Sequence, residues 1–277
     1  MKKRKKKYKG NMPLHKLFPS IITMMGLCSG VTAIKYAMDG QFSLAIAFIF
    51  YAALFDIIDG RIARILNVAS EFGAQLDSLC DLVNFGVVPA IVIHSWCEKY
   101  ITNISPIEKH ALWIGVLVYV SCTAMRLARF NIQSSKIDFS SNNPITKIYQ
   151  KLISEGKFFN GVPSTIGGLL VLFPIVVSFD IIPGYKFSIW IIMIYMISVA
   201  LLMVSTIPTL SSKKLVIQRK NAPIIIVFIL CFFVIVLLEP WILMPCMQVF
   251  YIITLPITYF KCKKIIKIEN TKNIIDN

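Results

Sequence analysis

Charged side chains are scarce in this sequence, and acidic ones are the scarcest of all. Only 14 of the 277 residues are Asp or Glu, and charged residues of both signs make up 16% of the chain, against 56% hydrophobic residues. An ordinary soluble domain carries about 25% charged residues. The composition therefore excludes a soluble globular protein and indicates a membrane protein.

Metal and redox sites built from cysteine or histidine are also missing. The seven cysteines contain no C-x-x-C pair, and the three histidines match no metal-binding or catalytic motif. Most of the cysteines lie in apolar runs, where cysteine behaves as a small hydrophobic residue. Neither a zinc site nor a thiol redox centre is therefore expected.

Apolar runs long enough to cross a bilayer, about 17–25 residues each, recur along the chain. They predict an all-α transmembrane bundle with a basic segment at 1–16, a six-helix core at 17–207, two further helices at 208–260 and a tail at 261–277. The eight predicted spans are 17–38, 42–59, 74–96, 111–131, 159–179, 187–207, 223–238 and 241–260.

The basic residues predict the orientation of this bundle. If eight spans alternate, all but four of the 29 Lys and Arg residues fall on one side of the membrane, the exceptions being Lys35, Lys99, Lys109 and Lys186. The positive-inside rule makes that side, with both termini, cytoplasmic. The basic run from Lys2 to Lys9 directly precedes a span, so anionic lipid headgroups explain it better than nucleic acid, which is not an expected partner.

Four aspartates interrupt the second and third apolar runs, although one Asp at mid-bilayer costs about 2.5–3.5 kcal/mol. On helices, Asp56 and Asp59 (i, i+3) share one face, and Asp77 and Asp81 (i, i+4) share another. Two such faces opposed would present hard oxygen ligands for Mg²⁺, Mn²⁺ or Ca²⁺. A purely structural role is the alternative, but Arg61 and Arg64 cannot compensate four aspartates.

Small and cationic residues stand between the two acid pairs. Gly60 lets a ligand approach the helix backbone, and the small side chain of Ala63 leaves space beside it. Arg64 can bind a phosphate through two N–H groups. Gly73 lets the third span start close to its neighbour. Carboxylates, metal and arginine around one pocket suit phosphoryl transfer from a diphosphate, with one carboxylate left to accept a hydroxyl proton.

These residues resemble, position by position, the signature of the CDP-alcohol phosphatidyltransferase family. The resemblance implies two divalent cations, Mg²⁺ or Mn²⁺, a homodimer, and a donor that is a CDP-lipid. It makes Asp56, Asp59 and Asp77 metal ligands, and makes Asp81 the catalytic base and a further ligand of the second metal. The positions where the family contacts the CDP-lipid are Gly60, Ala63, Arg64, Ser70 and Gly73.

The flanking segments 70–81, 85–90, 125–131 and 158–163 are similar to bacterial and archaeal phosphatidylserine synthases. This similarity implies transfer from CDP-diacylglycerol to L-serine, at the cytoplasmic face of a prokaryotic inner membrane. The candidate acceptor-binding residues are Asn84, Arg126, Arg129 and Asn131, although the two arginines also fit ordinary positive-inside anchors.

Two departures leave the acceptor open. Asn84 stands where these synthases commonly have Ser. These synthases also often have the pattern T-x-x-N, and here Thr23 is followed three residues later by Gly26 instead of Asn. Glycerol 3-phosphate and inositol phosphate are therefore alternative acceptors. A cation carrier is a remote alternative, because directly beyond Asp81 the stretch 82–88 of the third span has only Asn84 as a polar residue.

Overall fold

The computed structural model describes residues 17–66, 68, 70–101, 104–135, 158–180, 187–210 and 239–275, and most of these are helical. The elements, in chain order, are α1 (Phe18–Met38), α2 (Phe42–Ile65), α3 (Glu71–Asp81), a π-helical turn (Leu82–Val87), α4 (Val88–Tyr100), α5 (Pro106–Ser135), β1 (Phe158–Asn160), α6 (Ser164–Leu170), α7 (Phe173–Asp180), α8 (Ile189–Val204), β2 (Pro208–Leu210) and α9 (Pro240–Ile275).

Five helical units are long and apolar enough to cross a membrane: α1, α2, the continuous unit from α3 through α4, α5 and α9. They correspond to the first four and the last of the predicted spans, and the chain is an integral membrane protein. The sixth predicted span corresponds to α8, a shorter apolar helix of 16 residues. The seventh, 223–238, lies outside the described residues, so the eight-span count and the cytoplasmic termini remain predictions.

The prediction of one continuous helix over 159–179 is wrong. Its first residues belong to β1, which pairs antiparallel with β2, and a turn at Val171 and Leu172 separates α6 from α7. Pro174 lies in the first turn of α7, where its missing N–H costs nothing, and it cannot continue a preceding helix. At the other end of the chain, α9 continues through the predicted tail to Ile275.

The first two helices form a hairpin that closes through Gly40. This glycine has a φ of +77°, and its N–H donates to the Ala37 carbonyl at 2.9 Å. Ala33, Ala45 and Ala52 are fully buried, and small residues of this kind let two helix backbones approach closely. The hairpin therefore holds the start of α1 against the end of α2.

A π-helical turn follows Asp81 in the middle of the third span, and Pro89 accounts for its position. Pro89 has no N–H to donate to the carbonyl four residues earlier, that of Phe85. The hydroxyl of Tyr119 on α5 donates to this carbonyl at 2.9 Å. The turn is thereby tied to α5 immediately beyond the acidic residues.

The β1–β2 ribbon places the short helix α6. Gly161, which follows β1, has a φ of +70°, and a Cβ there would lie 2.6 Å from the Ser205 carbonyl oxygen, so no other residue fits. Further along, a Cβ on Gly168 would lie 2.8 Å from the Phe85 Cβ. Close contacts at both points seat α6 between the end of α8 and the π-helical turn.

The last helix packs on α7 and β2. Its Gln248 is 7% exposed and donates from Nε2 to the Leu169 carbonyl of α6 at 2.9 Å. This hydrogen bond fixes α9 to the element that lies on the π-helical turn. Described residues of the predicted third segment, 208–260, therefore pack directly on the predicted core.

Candidate active site

Three carboxylates converge where the end of α2 meets α3. Asp56 and Asp59 extend from α2 and Asp77 extends from α3, and one oxygen of each lies within 4.8 Å of the others. Asp59 is 4% exposed, whereas the other two are half-buried. The helices thus bring both acids of the first pair and Asp77 of the second pair to one place.

This acidic group could hold a divalent cation. Oxygen ligands lie about 2.0–2.1 Å from Mg²⁺ and about 2.3–2.6 Å from Ca²⁺, so opposite ligands stand about 4–5 Å apart. The spread of the three oxygens, up to 4.8 Å, matches this range. Among the described residues, the only ion pair joins His94 to Glu98. The alternative that Arg61 and Arg64 neutralise the aspartates therefore gains no support from the described contacts.

Hydroxyl groups from two other helices bond these carboxylates. Thr23 on α1 lies 2.5 Å from the Asp59 Oδ2 atom, and Thr165 on α6 donates to the Asp56 Oδ2 atom at 3.1 Å. The sequence analysis missed Thr165 because it lies 109 positions from Asp56 along the chain. Only its place shortly after the segment 158–163, which is similar to phosphatidylserine synthases, could have drawn attention to it.

Asp81 lies beside the three-carboxylate group rather than within it. Its carboxyl group is within hydrogen-bonding reach of Asp56, and Ser164 donates to its Oδ2 atom at 3.2 Å. Ser164 was also missed by the sequence analysis. Asp81 therefore adjoins the candidate metal ligands, and one serine hydroxyl orients it.

The candidate donor-binding residues lie at the end of α2 and at the start of α3, which the sequence predicts to be on the cytoplasmic side. Arg64 is exposed, and its Nε donates to the Gly60 carbonyl at 3.0 Å. Ser70 caps α3 by accepting the Gly73 N–H at 3.0 Å. A Cβ on Gly60 would meet only the Arg64 Nη2 atom within 4 Å, at an ordinary contact distance of 3.8 Å, so the structure has room for a Cβ there. Ala63 is half-buried on the last turns of the same helix.

Two of the candidate acceptor residues bond or pack against other helices. Asn84 is 3% exposed, and its side chain lies against Gly30 of α1, where a Cβ would collide with it. Asn131 on α5 accepts a hydrogen bond from the Ser78 hydroxyl of α3 at 3.0 Å. An acceptor-binding role for either residue remains a prediction.

The two arginines on α5 differ sharply in their partners. Arg129 donates from Nη1 to the Val204 carbonyl at 2.8 Å and from Nη2 to the Ser205 carbonyl at 3.2 Å, at the end of α8. Arg126 interacts electrostatically with Asp81, and its buried Nε has no hydrogen-bond partner among the described residues. Arg129 thus stabilises a helix end, whereas Arg126 has a donor left for a ligand.

Comparison with known proteins places this site in a family. A family model described as CDP-alcohol phosphatidyltransferase matches residues 16–178, which include all four aspartates. The chain is 30% identical to the CDP-diacylglycerol--serine O-phosphatidyltransferase of Mycobacterium leprae over 240 residues, which cover 87% of this chain and 73% of that protein.

Two further relatives carry the same name. The protein of Mycobacterium bovis is 34% identical over 193 residues, 69% of this chain and 60% of that protein. The protein of Bacillus subtilis is 32% identical over 153 residues, 54% of this chain and 80% of that protein. Since the family model spans more than half of its residues, the chain belongs to the CDP-alcohol phosphatidyltransferase family.

Proposed function

We propose that this protein transfers the phosphatidyl group of CDP-diacylglycerol to L-serine, giving phosphatidylserine and CMP. The observation that carries the proposal is the convergence of Asp56, Asp59 and Asp77 beside Asp81, within the segment that defines the family. The acceptor is inferred from the relatives, which are named for serine.

The residues that would hold Mg²⁺ or Mn²⁺ are Asp56, Asp59 and Asp77, with Asp81 as a further ligand if two ions bind. Their hard carboxylate oxygens and their mutual distances suit such ions. A divalent cation bound there would neutralise negative charge on the diphosphate and its leaving group.

The donor would lie over the end of α2. The diphosphate or the nucleotide would approach the backbone at Gly60, where a Cβ would meet only the Arg64 side chain within 4 Å. The small side chain of Ala63 would leave space beside it. The exposed Arg64 guanidinium is available for a phosphate oxygen. Ser70 and Gly73 form the capped start of α3.

Asp81 would act as the general base. The serine hydroxyl oxygen attacks the phosphorus that bears diacylglycerol, and its proton passes to the Asp81 carboxylate. The new phosphorus–oxygen bond forms as the bond between that phosphorus and the bridging oxygen breaks, and CMP leaves. Ser164 donates to Oδ2, so it orients the carboxylate while lone pairs on both oxygens remain for the proton.

Of the two arginines on α5, Arg126 is the better candidate to bind the carboxylate of serine. Arg129 already donates two hydrogen bonds to the end of α8, whereas Arg126 interacts with Asp81 and has a buried, unpartnered Nε in the described region. An arginine binds a carboxylate through parallel N–H groups. We therefore assign acceptor binding to Arg126 and helix stabilisation to Arg129.

The site would face the cytoplasm of a prokaryotic inner membrane. The support is the one-sided distribution of Lys and Arg, which places the ends of α2 and α3 on the basic side. A homodimer is proposed from the family resemblance alone, and light scattering of the detergent-solubilised protein tests it.

An acceptor screen tests the proposed function. Purified protein, CDP-diacylglycerol and Mg²⁺ or Mn²⁺ are incubated with serine, glycerol 3-phosphate or inositol phosphate, while CMP release and the lipid product are followed. Serine-dependent CMP release with phosphatidylserine as product supports the proposal. Turnover only with a phosphorylated acceptor keeps the family chemistry but overturns the serine assignment.

A further inference from the structure

The last membrane helix, which lies beyond the segment matched by the family model, brings a tyrosine to the acceptor side of the site. Tyr251 of α9 interacts electrostatically with Arg126 of α5, and Arg126 interacts in turn with Asp81. Three elements that are far apart in the sequence, α3, α5 and α9, therefore contribute polar groups to one region.

Both Tyr251 and Arg126 have a buried group that lacks a good partner. Within the described part of the chain, neither the Tyr251 hydroxyl nor the Arg126 Nε makes a hydrogen bond of good geometry. The hydroxyl lies beside Thr209, whose own proton goes to the Gly161 carbonyl at 3.0 Å. A buried polar group without a partner costs about 1–3 kcal/mol, so two together call for an explanation.

The chemistry of the two groups indicates what would satisfy them. Arginine Nε–H is a donor only, and a tyrosine hydroxyl donates as well as accepts. A ligand that meets two donors at once must carry adjacent acceptor oxygens, and a carboxylate does so. Charge-assisted hydrogen bonds to a carboxylate are about twice as strong as those between neutral groups.

The position of Tyr251 relative to the catalytic acids is fixed by packing. Gln248, one turn before Tyr251 on α9, donates to the Leu169 carbonyl of α6. The same short helix begins with Ser164 and Thr165, which donate to Asp81 and Asp56. One element thus bonds both the acids and the helix that carries the tyrosine.

We propose that α9 completes the acceptor subsite: the Tyr251 hydroxyl and the Arg126 guanidinium together bind the carboxylate of the acceptor amino acid. This inference rests on the proposed function, since it concerns serine as the acceptor. It gives the last helix a role in acceptor specificity, separate from the metal-binding and donor-binding residues of α2 and α3.

The test is the Tyr251→Phe variant, assayed for CMP release against serine and CDP-diacylglycerol concentrations. The KM for serine should rise about 10-fold, since one charge-assisted hydrogen bond is lost, while the KM for CDP-diacylglycerol stays unchanged. Serinol, in which a hydroxymethyl group replaces the carboxylate, should be used equally poorly by the variant and the wild type.

Tyr259→Phe is the matched control, because Tyr259 lies on the same helix and is 45% exposed. It should leave both KM values unchanged, and a melting curve in detergent identifies any variant that has lost its fold. A damaged fold would lower activity without a selective change in the serine KM; Tyr251→His, which restores a polar group, should then recover part of the serine affinity.

The outcomes separate this inference from the proposed function. An unchanged serine KM in a folded Tyr251→Phe variant, or no recovery in Tyr251→His after a loss of fold, overturns the role of Tyr251 and leaves the serine synthase assignment standing. A wild-type protein that releases no CMP with serine overturns both.

Discussion

A substitution at Gly60 distinguishes a residue needed for packing within the protein from a residue needed for ligand binding. In Gly60→Ala, the added Cβ meets only the Arg64 Nη2 atom, at an ordinary contact distance of 3.8 Å. Alanine in a helix interior is about 0.5–1 kcal/mol more favourable than glycine. We therefore predict that the melting temperature of the variant stays the same or rises.

The activity of Gly60→Ala should nevertheless fall. If the diphosphate or the nucleotide lies on this backbone, a methyl group displaces it, and a displacement of about 1 Å can cost about 100-fold in rate. The expected result is a roughly 100-fold lower kcat/KM for CDP-diacylglycerol in the CMP-release assay. Thermal unfolding of the same detergent preparation provides the stability measurement.

Gly168→Ala is the contrasting variant. Its Cβ would lie 2.8 Å from the Phe85 Cβ, where no flexible side-chain end can move away. Overpacking of this kind typically costs about 1–3 kcal/mol, so both the melting temperature and the activity should decrease. A Gly60→Ala protein with wild-type kcat/KM would refute the reasoning, because it would show that no ligand approaches that glycine.

The other predictions address the base, the arginines and the metal. Asp81→Asn should abolish transfer but retain CDP-lipid binding; general-base catalysis contributes roughly 10²–10⁴-fold, so turnover above about 1% of wild type contradicts the assignment. Arg126→Ala should raise the serine KM at least about 10-fold, whereas Arg129→Ala should lower the melting temperature at constant serine KM; the reverse pattern would exchange their roles. At 100 times its Kd, Mg²⁺ or Mn²⁺ should increase the free energy of unfolding of the wild type by about 2.7 kcal/mol and so raise its melting temperature. The melting temperature of Asp77→Asn should not change; equal shifts in both proteins would place the ion elsewhere.

Local sequence patterns were sufficient for the acidic centre. The i, i+3 spacing of Asp56 and Asp59 needs only a helix to bring both side chains to one face. Apolar run length likewise predicted the helices on either side of the Asp39–Gly40 turn, because the bilayer sets that length whatever the tertiary contacts are.

Groups that depend on tertiary packing could not be predicted in this way. Ser164 reaches Asp81 across 83 positions of sequence, and it does so because Gly161 and Gly168 seat α6 against α8 and the π-helical turn. Periodicity carries no information about such a contact. The same holds for the packing of Asn84 against Gly30 of α1, which its helical spacing from Asp81 does not predict; its acceptor-binding role remains a prediction.

The unsatisfied groups of this protein and its proposed ligands correspond closely. The four aspartates have eight carboxylate oxygens, and three hydroxyl groups contact them in the described region, where no Lys or Arg forms an ion pair with them. At membrane depth this arrangement is costly, and a bound divalent cation would offset the repulsion between the carboxylates. Arg126 and Tyr251 present the opposite case, since among the described residues the buried Arg126 Nε and Tyr251 hydroxyl have no hydrogen-bond partner. A cation on one side of Asp81 and a carboxylate on the other would satisfy both sets, and both ligands would then adjoin the residue proposed to take the proton.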